Sequence, residues 1–300
     1  MSSLASSPTK SSSLRQLDRV HALGRKRRAV NGLVAVLCVV AFALVVVPLV
    51  DILWMTLVKG GSAVSVTLFT QVTNGISGGL LNAIEGTLVL SGGALLFATP
   101  VGVLSGVYLA EYGRGPWGKS VRFLADVLSG VPSIVMGYFS YVTLVVGLGW
   151  QFSALAGALT LAMLIVPYIA RFTELAMRQN PVSLRESAYA LGCKEHQVVL
   201  GVLLPAARSG VITGVLLSLG LAVGETAPLI YTAGWSNYVW NGKLTQEPIG
   251  YLTYVIWNFI NQPFASAHAL AYAAAFLVVA VVLAINLLAR ALLRSKHQYG

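Results

Sequence analysis

Four charged side chains lie within, or at the ends of, long apolar segments: Arg171, Glu174, Arg208 and Glu225. A charge at bilayer depth costs at least about 2.5–3.5 kcal/mol on insertion scales, so each needs a partner or a purpose. Arg171 and Glu174 are three residues apart, hence on one face of a helix and able to pair. Arg208 follows Pro205 by three residues; it reads either as a basic flank of the next apolar run or as a pathway residue. Glu225 stands in Ala222-Val223-Gly224-Glu225-Thr226-Ala227-Pro228 with no neighbouring base. On a straight helix from Val211 it would lie roughly 21 Å along the axis. It is either a pathway residue facing a polar cavity or a structural carboxylate bonded to another helix or to a partner subunit. Guanidinium groups offer planar, forked donors suited to oxyanions, whereas an unpaired carboxylate repels them. Arg208 and Arg171 opposite Glu225 and Glu174 would give a balanced path, able to pass an anion without trapping it.

The elements that must position these charges are membrane spans. Charged residues make up 10% of the 300, apolar residues 56%, and the mean hydropathy is +0.77. A soluble domain carries about 25% charged residues, so this is a polytopic membrane protein of the all-α class. The net charge of +10 does not point to nucleic acid, because the basic residues cluster between the apolar runs. Cys38, in an apolar run, and Cys193, in a polar loop, suit neither a disulfide nor a metal site.

Residues 1–28, Ser-rich and then basic, read as a cytoplasmic tail without fixed structure, and residues 29–300 as the transmembrane domain. Leu33 to Val50 is an uncharged run of eighteen residues, long for a signal-peptide core, and no cleavage site is evident. It reads as the first of six transmembrane helices. The others are expected at Leu88–Ala110, Phe123–Leu148, Phe152–Phe172, Val211–Tyr231 and Ala267–Ala289. Gly102 and Gly106 would let helices approach closely, and Pro132, Pro167 and Pro228 read as kink or packing residues. Residues 60–80 and 234–266 are expected as outer loops, the second with Trp235, Trp240 and Trp257 as an interfacial aromatic belt. With both ends in the cytoplasm, sixteen Lys and Arg lie inside against Lys59 and Lys243 outside, as the positive-inside rule requires.

Between the fourth and fifth spans, residues 179–205 form a polar island. Its apolar and small residues Ala188, Leu191, Val198, Val199 and Val202 recur at spacings of three and four, so one face of a short helix could dock on a partner. Glu186-Ser187-Ala188-Tyr189-Ala190-Leu191-Gly192, then nine residues later Val202-Leu203-Leu204-Pro205, resembles the signature loop of ABC importer permeases. Ser187 stands where that family most often has Ala. Further segments resemble the phosphate-importer permeases of that family: Gly106-Val107-Tyr108-Leu109-Ala110-Glu111-Tyr112, Ser129-Gly130-Val131-Pro132-Ser133-Ile134-Val135-Met136-Gly137, Pro167-Tyr168-Ile169-Ala170-Arg171 and Gly224-Glu225-Thr226-Ala227-Pro228-Leu229. The similarity covers most of residues 85–265 and is closer to the PstA-type than to the PstC-type subunit.

The resemblance implies a type I ABC importer permease fold with a cytoplasmic coupling helix, in the bacterial plasma membrane, and translocation of inorganic phosphate. By the same resemblance Glu186, Ala188, Gly192, Leu204 and Pro205 belong to the ATPase-coupling loop, and Arg171, Glu174, Arg208 and Glu225 to the translocation pathway. The implied partners are a PstC-type permease, an ATPase dimer and an extracytoplasmic phosphate-binding protein. No Gly-rich phosphate loop ending Gly-Lys-Ser/Thr is present, so no cofactor is expected on this chain, and ATP-Mg belongs to the partner ATPase. No nucleophile-base set or metal-ligand pair is evident, and the four histidines are scattered, so enzymatic chemistry is not expected. The alternatives are a permease for another oxyanion, molybdate or sulfate, and an ion-coupled secondary transporter using Glu225.

Overall fold

The computed structural model describes residues 10–294. The chain is mostly helical and divides into two compact units at Met55/Thr56. The first is a single helix, α1 (Lys10–Met55), which contains the expected first span and carries Pro48 inside it. Of the tail expected to lack fixed structure, residues 1–9 lie outside the described residues, and the described chain is helical from Lys10.

The second unit opens with short helices and a two-stranded hairpin, Thr73–Asn74 paired with Ser77–Gly78, where the sequence promised only a loop. Then come α2 (Leu81–Glu111), α3 (Pro116–Gly130), α4 (Ser133–Ser140), α5 (Ala154–Arg178), α6 (Val182–Ala190), α7 (Leu204–Gly224), α8 (Ala227–Thr232), α9 (Leu252–Phe259) and α10 (Ala265–Arg294). Among the described residues, five helical stretches are long and apolar enough to cross a membrane, and a bent pair makes a sixth. This agrees with six spans, although two of them are not straight.

The third expected span is the bent pair: α3 meets α4, with its π-helical continuation to Gly147, at 99°. Pro132 is the cause. The residue before a proline is pushed out of the helical region, and Val131 sits at φ −70°, ψ 128°. The fifth expected span also breaks. In a continuous helix the Pro228 ring would meet the carbonyl four residues back, that of Gly224. The helix ends there instead, and Glu225 is extended at φ −72°, ψ 137°. By contrast, Pro167 sits buried inside an unbroken α5.

α5 is the central element. Its buried Leu161, Ile165 and Ile169 pack with Leu90, Ala94 and Ala98 of α2, and with Ala222 and Leu229 from either side of the Glu225 break. The small residues act as the sequence implied. A Cβ on Gly102 would fall 2.7 Å from Ile169 Cβ, and one on Gly106 would fall 2.5 Å from Thr173 Cβ. The segment expected as a simple loop over 234–266 holds α9, whose Leu252, Val255 and Phe259 pack on Ala267, Leu270, Ala271 and Ala274 of α10. The tryptophans of this segment also have partners within the fold. Trp235 stacks on Tyr254 at 4.7 Å, and Trp240 Nε1 donates to the Lys243 carbonyl at 2.7 Å.

Candidate functional site

Glu174 is the densest charge centre of the described residues. It lies on α5 with Arg171 and Arg178 at spacings of three and four, the spacing that puts three side chains on one face. The pairing expected of Arg171 and Glu174 is present, Nη1 to Oε2 at 3.4 Å. Two further arginines join it. Arg178 Nη2 lies 2.8 Å and Arg122 Nε 2.7 Å from Glu174 Oε1. The carboxylate is only 2% exposed, against 53% for Arg171, 52% for Arg178 and 21% for Arg122. A buried charge survives only when paired and hydrogen-bonded, and this one is paired three times. Arg122 comes from α3, and its remaining nitrogens donate to the carbonyls of Gly113 at 2.8 Å and Leu109 at 2.5 Å. Leu109 lies in the last turn of α2 and Gly113 two residues past its end, a helix terminus that leaves acceptors unsatisfied and favours a cation. One side chain therefore joins α2, α3 and α5.

Beside this cluster is a cavity of about 140 Å³, with Asp126, Ser129, Tyr168, Arg171 and Glu174 in its wall. A second cavity of about 190 Å³ shares Ser129 and Tyr168 with it and reaches Ser133, Leu221 and Glu225. The two follow one lane along the α3–α4 elbow. Glu225 sits in the gap between α7 and α8. Its carbonyl accepts from Thr253 Oγ1 at 2.7 Å, and its carboxyl group shares the wall of the second cavity with Ser133, the first residue of α4. The half-helices after the two breaks lie against each other, with the Cβ position of Gly137 2.5 Å from Pro228 Cα. Non-helical backbone at membrane depth is tolerated where it lines a cavity or is buried in protein, and both breaks meet that condition. The straight-helix placement of Glu225 is thus corrected: it stands at a helix end, with a protein partner for its backbone carbonyl.

Arg208 is exposed near the start of α7 and makes no ion pair among the described residues. Seventeen residues separate it from Glu225, roughly 26 Å along the helix axis. The paired arrangement read from the sequence is therefore half right. Arg171 faces Glu174, but Arg208 does not face Glu225.

The polar island folds as α6, a turn, the π-helical stretch Val198–Leu203, and the start of α7. Gly192 takes φ +78° with nothing within 4 Å of its Cβ position, so conformation, not space, requires glycine there. The docking face expected from spacing is corrected. Ala188, Val198 and Val199 are buried against Val107, Met177 and Ala207, whereas Leu191 is 84% exposed. The helical period does not continue through the Gly192 turn. The exposed surface instead includes Val182, Glu186, Tyr189, Leu191 and Leu200. Leu204 is half-buried beside the same cluster, and Pro205 lies directly after the π-helical stretch, inside a helix that continues unbroken from Glu195 to Gly224. α6 is tied to α2 by Arg185 Nη2 to Glu111 Oε2 at 2.5 Å. This pair, with Arg114 and Glu186, lines a cleft of about 650 Å³.

Sequence reasoning missed Arg122, Arg178, and the Glu111–Arg185 pair. All were counted only as loop charges. The signal for Arg178 was its spacing of four from Glu174; nothing local marks Arg122, whose partners are 9 to 52 residues away.

Residues 98–298 match the family described as binding-protein-dependent transport system inner membrane component. The phosphate transport system permease protein PstA 2 of Mycobacterium bovis is 45% identical over 268 residues, 88% of each chain. The PstA protein of Yersinia pestis is 42% identical over 274 residues, 90% of this chain and 92% of its own. Among solved structures, a chain of the MetNI methionine ABC transporter in an inward facing conformation superposes with a TM-score of 0.58 at 22% identity. The match covers 71% of this chain and 95% of that one, a likeness of fold.

Proposed function

The chain belongs to the family of binding-protein-dependent transport system inner membrane components, and on that premise we propose that it is the PstA-type permease subunit of an ATP-driven importer of inorganic phosphate. The observation that carries the reading is the 45% identity to a phosphate permease over 88% of both chains. The chain pairs with a second, PstC-type permease across the membrane. An ATPase dimer with ATP-Mg works on the cytoplasmic side, where both termini lie, and an extracytoplasmic phosphate-binding protein delivers the substrate. The charge count of the loops supports that orientation.

The pathway runs along the lane from Glu225 and Ser133 to Arg171. The Arg171 side chain is half-exposed and spends one nitrogen on Glu174, so donors remain for two oxygens of a tetrahedral anion, the fork geometry that guanidinium suits. Glu174, saturated by three arginines, holds cations in place and does not itself meet the anion. Glu225 ends the lane with a negative group, which keeps an oxyanion from settling there. Arg208, exposed and unpaired among the described residues, draws the anion on at the inner mouth. ATP binding and hydrolysis in the partner push the exposed face of α6, the coupling helix with Glu186 on it, and the broken helices give α4 and α8 the freedom to rock between inward and outward openings.

The test is uptake of labelled phosphate, sulfate and molybdate, each at micromolar concentration, in cells with and without this chain. Selective loss of phosphate uptake upholds the reading. Loss of another oxyanion with phosphate uptake unchanged overturns the substrate and retains the transporter class.

A further inference from the structure

The three arginines around Glu174 are not equivalent. Arg122 is the most buried of them and engages all three of its nitrogens: Nε to Glu174, Nη1 to the Gly113 carbonyl, Nη2 to the Leu109 carbonyl. It stands in the same cavity wall as Arg171, but held by three protein partners. Arg171 is the reverse case. It is the most exposed of the three, makes the longest contact at 3.4 Å, and stands in the wall of the cavity of about 140 Å³. Glu174 carries one negative charge for three positive ones, and its Oε1 is already shared by Arg122 and Arg178 at 2.7 and 2.8 Å. Remove Arg122, and the carboxylate must draw its missing contact from the two guanidiniums left on its own helix face: Arg178, already at 2.8 Å, and Arg171, whose 3.4 Å contact has the most room to tighten. The fork that should meet the substrate would then close on Glu174.

We propose that Arg122 is a positioning residue for oxyanion passage: by satisfying Glu174 from α3, it keeps the Arg171 guanidinium open to the lane, and through Leu109 and Gly113 it fixes the α3 elbow to the end of α2. This rests on the phosphate-permease reading above. It also places the device within reach of the coupling helix. Glu111, between the two carbonyls that Arg122 holds, is the residue that Arg185 of α6 grips. Movement of α6 therefore reaches the α2 terminus on which Arg122 is seated, and can tighten or loosen its hold on Glu174.

The experiment measures phosphate uptake in cells carrying wild type, Arg122→Gln, Arg122→Lys, Glu174→Gln, and the double variant Arg122→Gln/Glu174→Gln, with the amount of chain in the membrane measured for each. Arg122→Gln lowers the maximal uptake rate about tenfold, the size of coupling expected within one ion-pair network. The double variant transports faster than Arg122→Gln, because the neutral amide introduced by Glu174→Gln no longer claims Arg171. Arg122→Lys, which keeps the charge but cannot fork to three acceptors, falls between wild type and Arg122→Gln. A purely structural pin predicts no recovery in the double variant, since the pin is absent there too. Should Arg122→Gln fail to reach the membrane, the comparison is made with Arg122→Lys, alone and with Glu174→Gln. Normal uptake by the Arg122 variant, or a loss that Glu174→Gln does not relieve, overturns the proposal. Failure of the wild-type chain to support phosphate uptake would instead strike the functional reading beneath it.

Discussion

Replacing Gly106 by Ala puts one methyl group into the seam between α2 and α5. The new Cβ would stand 2.5 Å from Thr173 Cβ and 2.6 Å from the Ala170 carbonyl oxygen. Ordinary van der Waals contact starts near 3.4 Å, so the helices must separate by about 0.9 Å. Neither obstacle is the flexible tip of a side chain, so rotation does not relieve it. Overpacking of this kind costs about 1–3 kcal/mol. A control lies on the same helix: Gly92 has nothing within 4 Å of its Cβ position, and Ala there should gain about 0.5–1 kcal/mol from helix propensity. Thermal unfolding of the detergent-solubilised chain, followed by tryptophan fluorescence, compares the two. Gly106→Ala lowers the midpoint, and Gly92→Ala leaves it unchanged or raises it. Transport falls with the first variant as well, because Thr173 adjoins Glu174, and pushing α5 outward stretches the Arg122 contacts that bridge α2 and α5. Equal stability of both variants and wild type would refute the seam as drawn.

Three other outcomes follow from the same geometry. Arg208→Gln should abolish uptake without loss of assembly, since an exposed residue with no ion pair among the described residues contributes within about 0.5 kcal/mol of stability; normal uptake would remove Arg208 from the pathway. Leu191→Asp, at a side chain 84% exposed, should leave the chain in the membrane but prevent co-purification of the ATPase, and undiminished co-purification would move the coupling contact elsewhere. Hydrogen bonds donated by Lys243 and Asn241 hold the Glu247 carboxyl below the usual range. A depressed carboxylate stabilises the segment fully above its ordinary value of 4.5 and loses that contribution as pH falls through the lower folded value. Hydrogen-exchange protection factors over residues 241–247, corrected for the pH dependence of intrinsic exchange, should therefore be higher above the ordinary value of 4.5 than well below it, and Glu247→Gln should show the lower protection throughout.

The sequence disclosed what is periodic or local. Span positions follow from runs such as Leu33–Val50, the α2–α5 seam from Gly102 and Gly106, and the Arg171–Glu174 pair from a spacing of three. It hid what depends on distant partners. Pro132 and Pro228 announced kinks, but only the packing of α4 against α8 decides that they become a 99° elbow and a broken helix around Glu225. Leu191 matched the apolar period of the polar island, yet the Gly192 turn at φ +78° resets the period and leaves Leu191 in the open. α9 was legible in the spacing of Leu252, Val255 and Phe259, and was lost under the polar residues on either side of it. Arg122 was invisible, because a charge in a basic loop looks the same whether it meets water or a buried glutamate.

The most direct test of the central claim uses proteoliposomes holding this chain, the partner permease and the ATPase, with labelled phosphate and its binding protein outside. Accumulation inside is followed with ATP-Mg enclosed, with a non-hydrolysable analogue enclosed, and with an imposed proton or sodium gradient and no nucleotide. Accumulation that requires hydrolysable ATP and stops when this chain is left out is the predicted result. Accumulation driven by the ion gradient in the absence of ATP would contradict the account and turn Glu225 from a pathway wall into a coupling site.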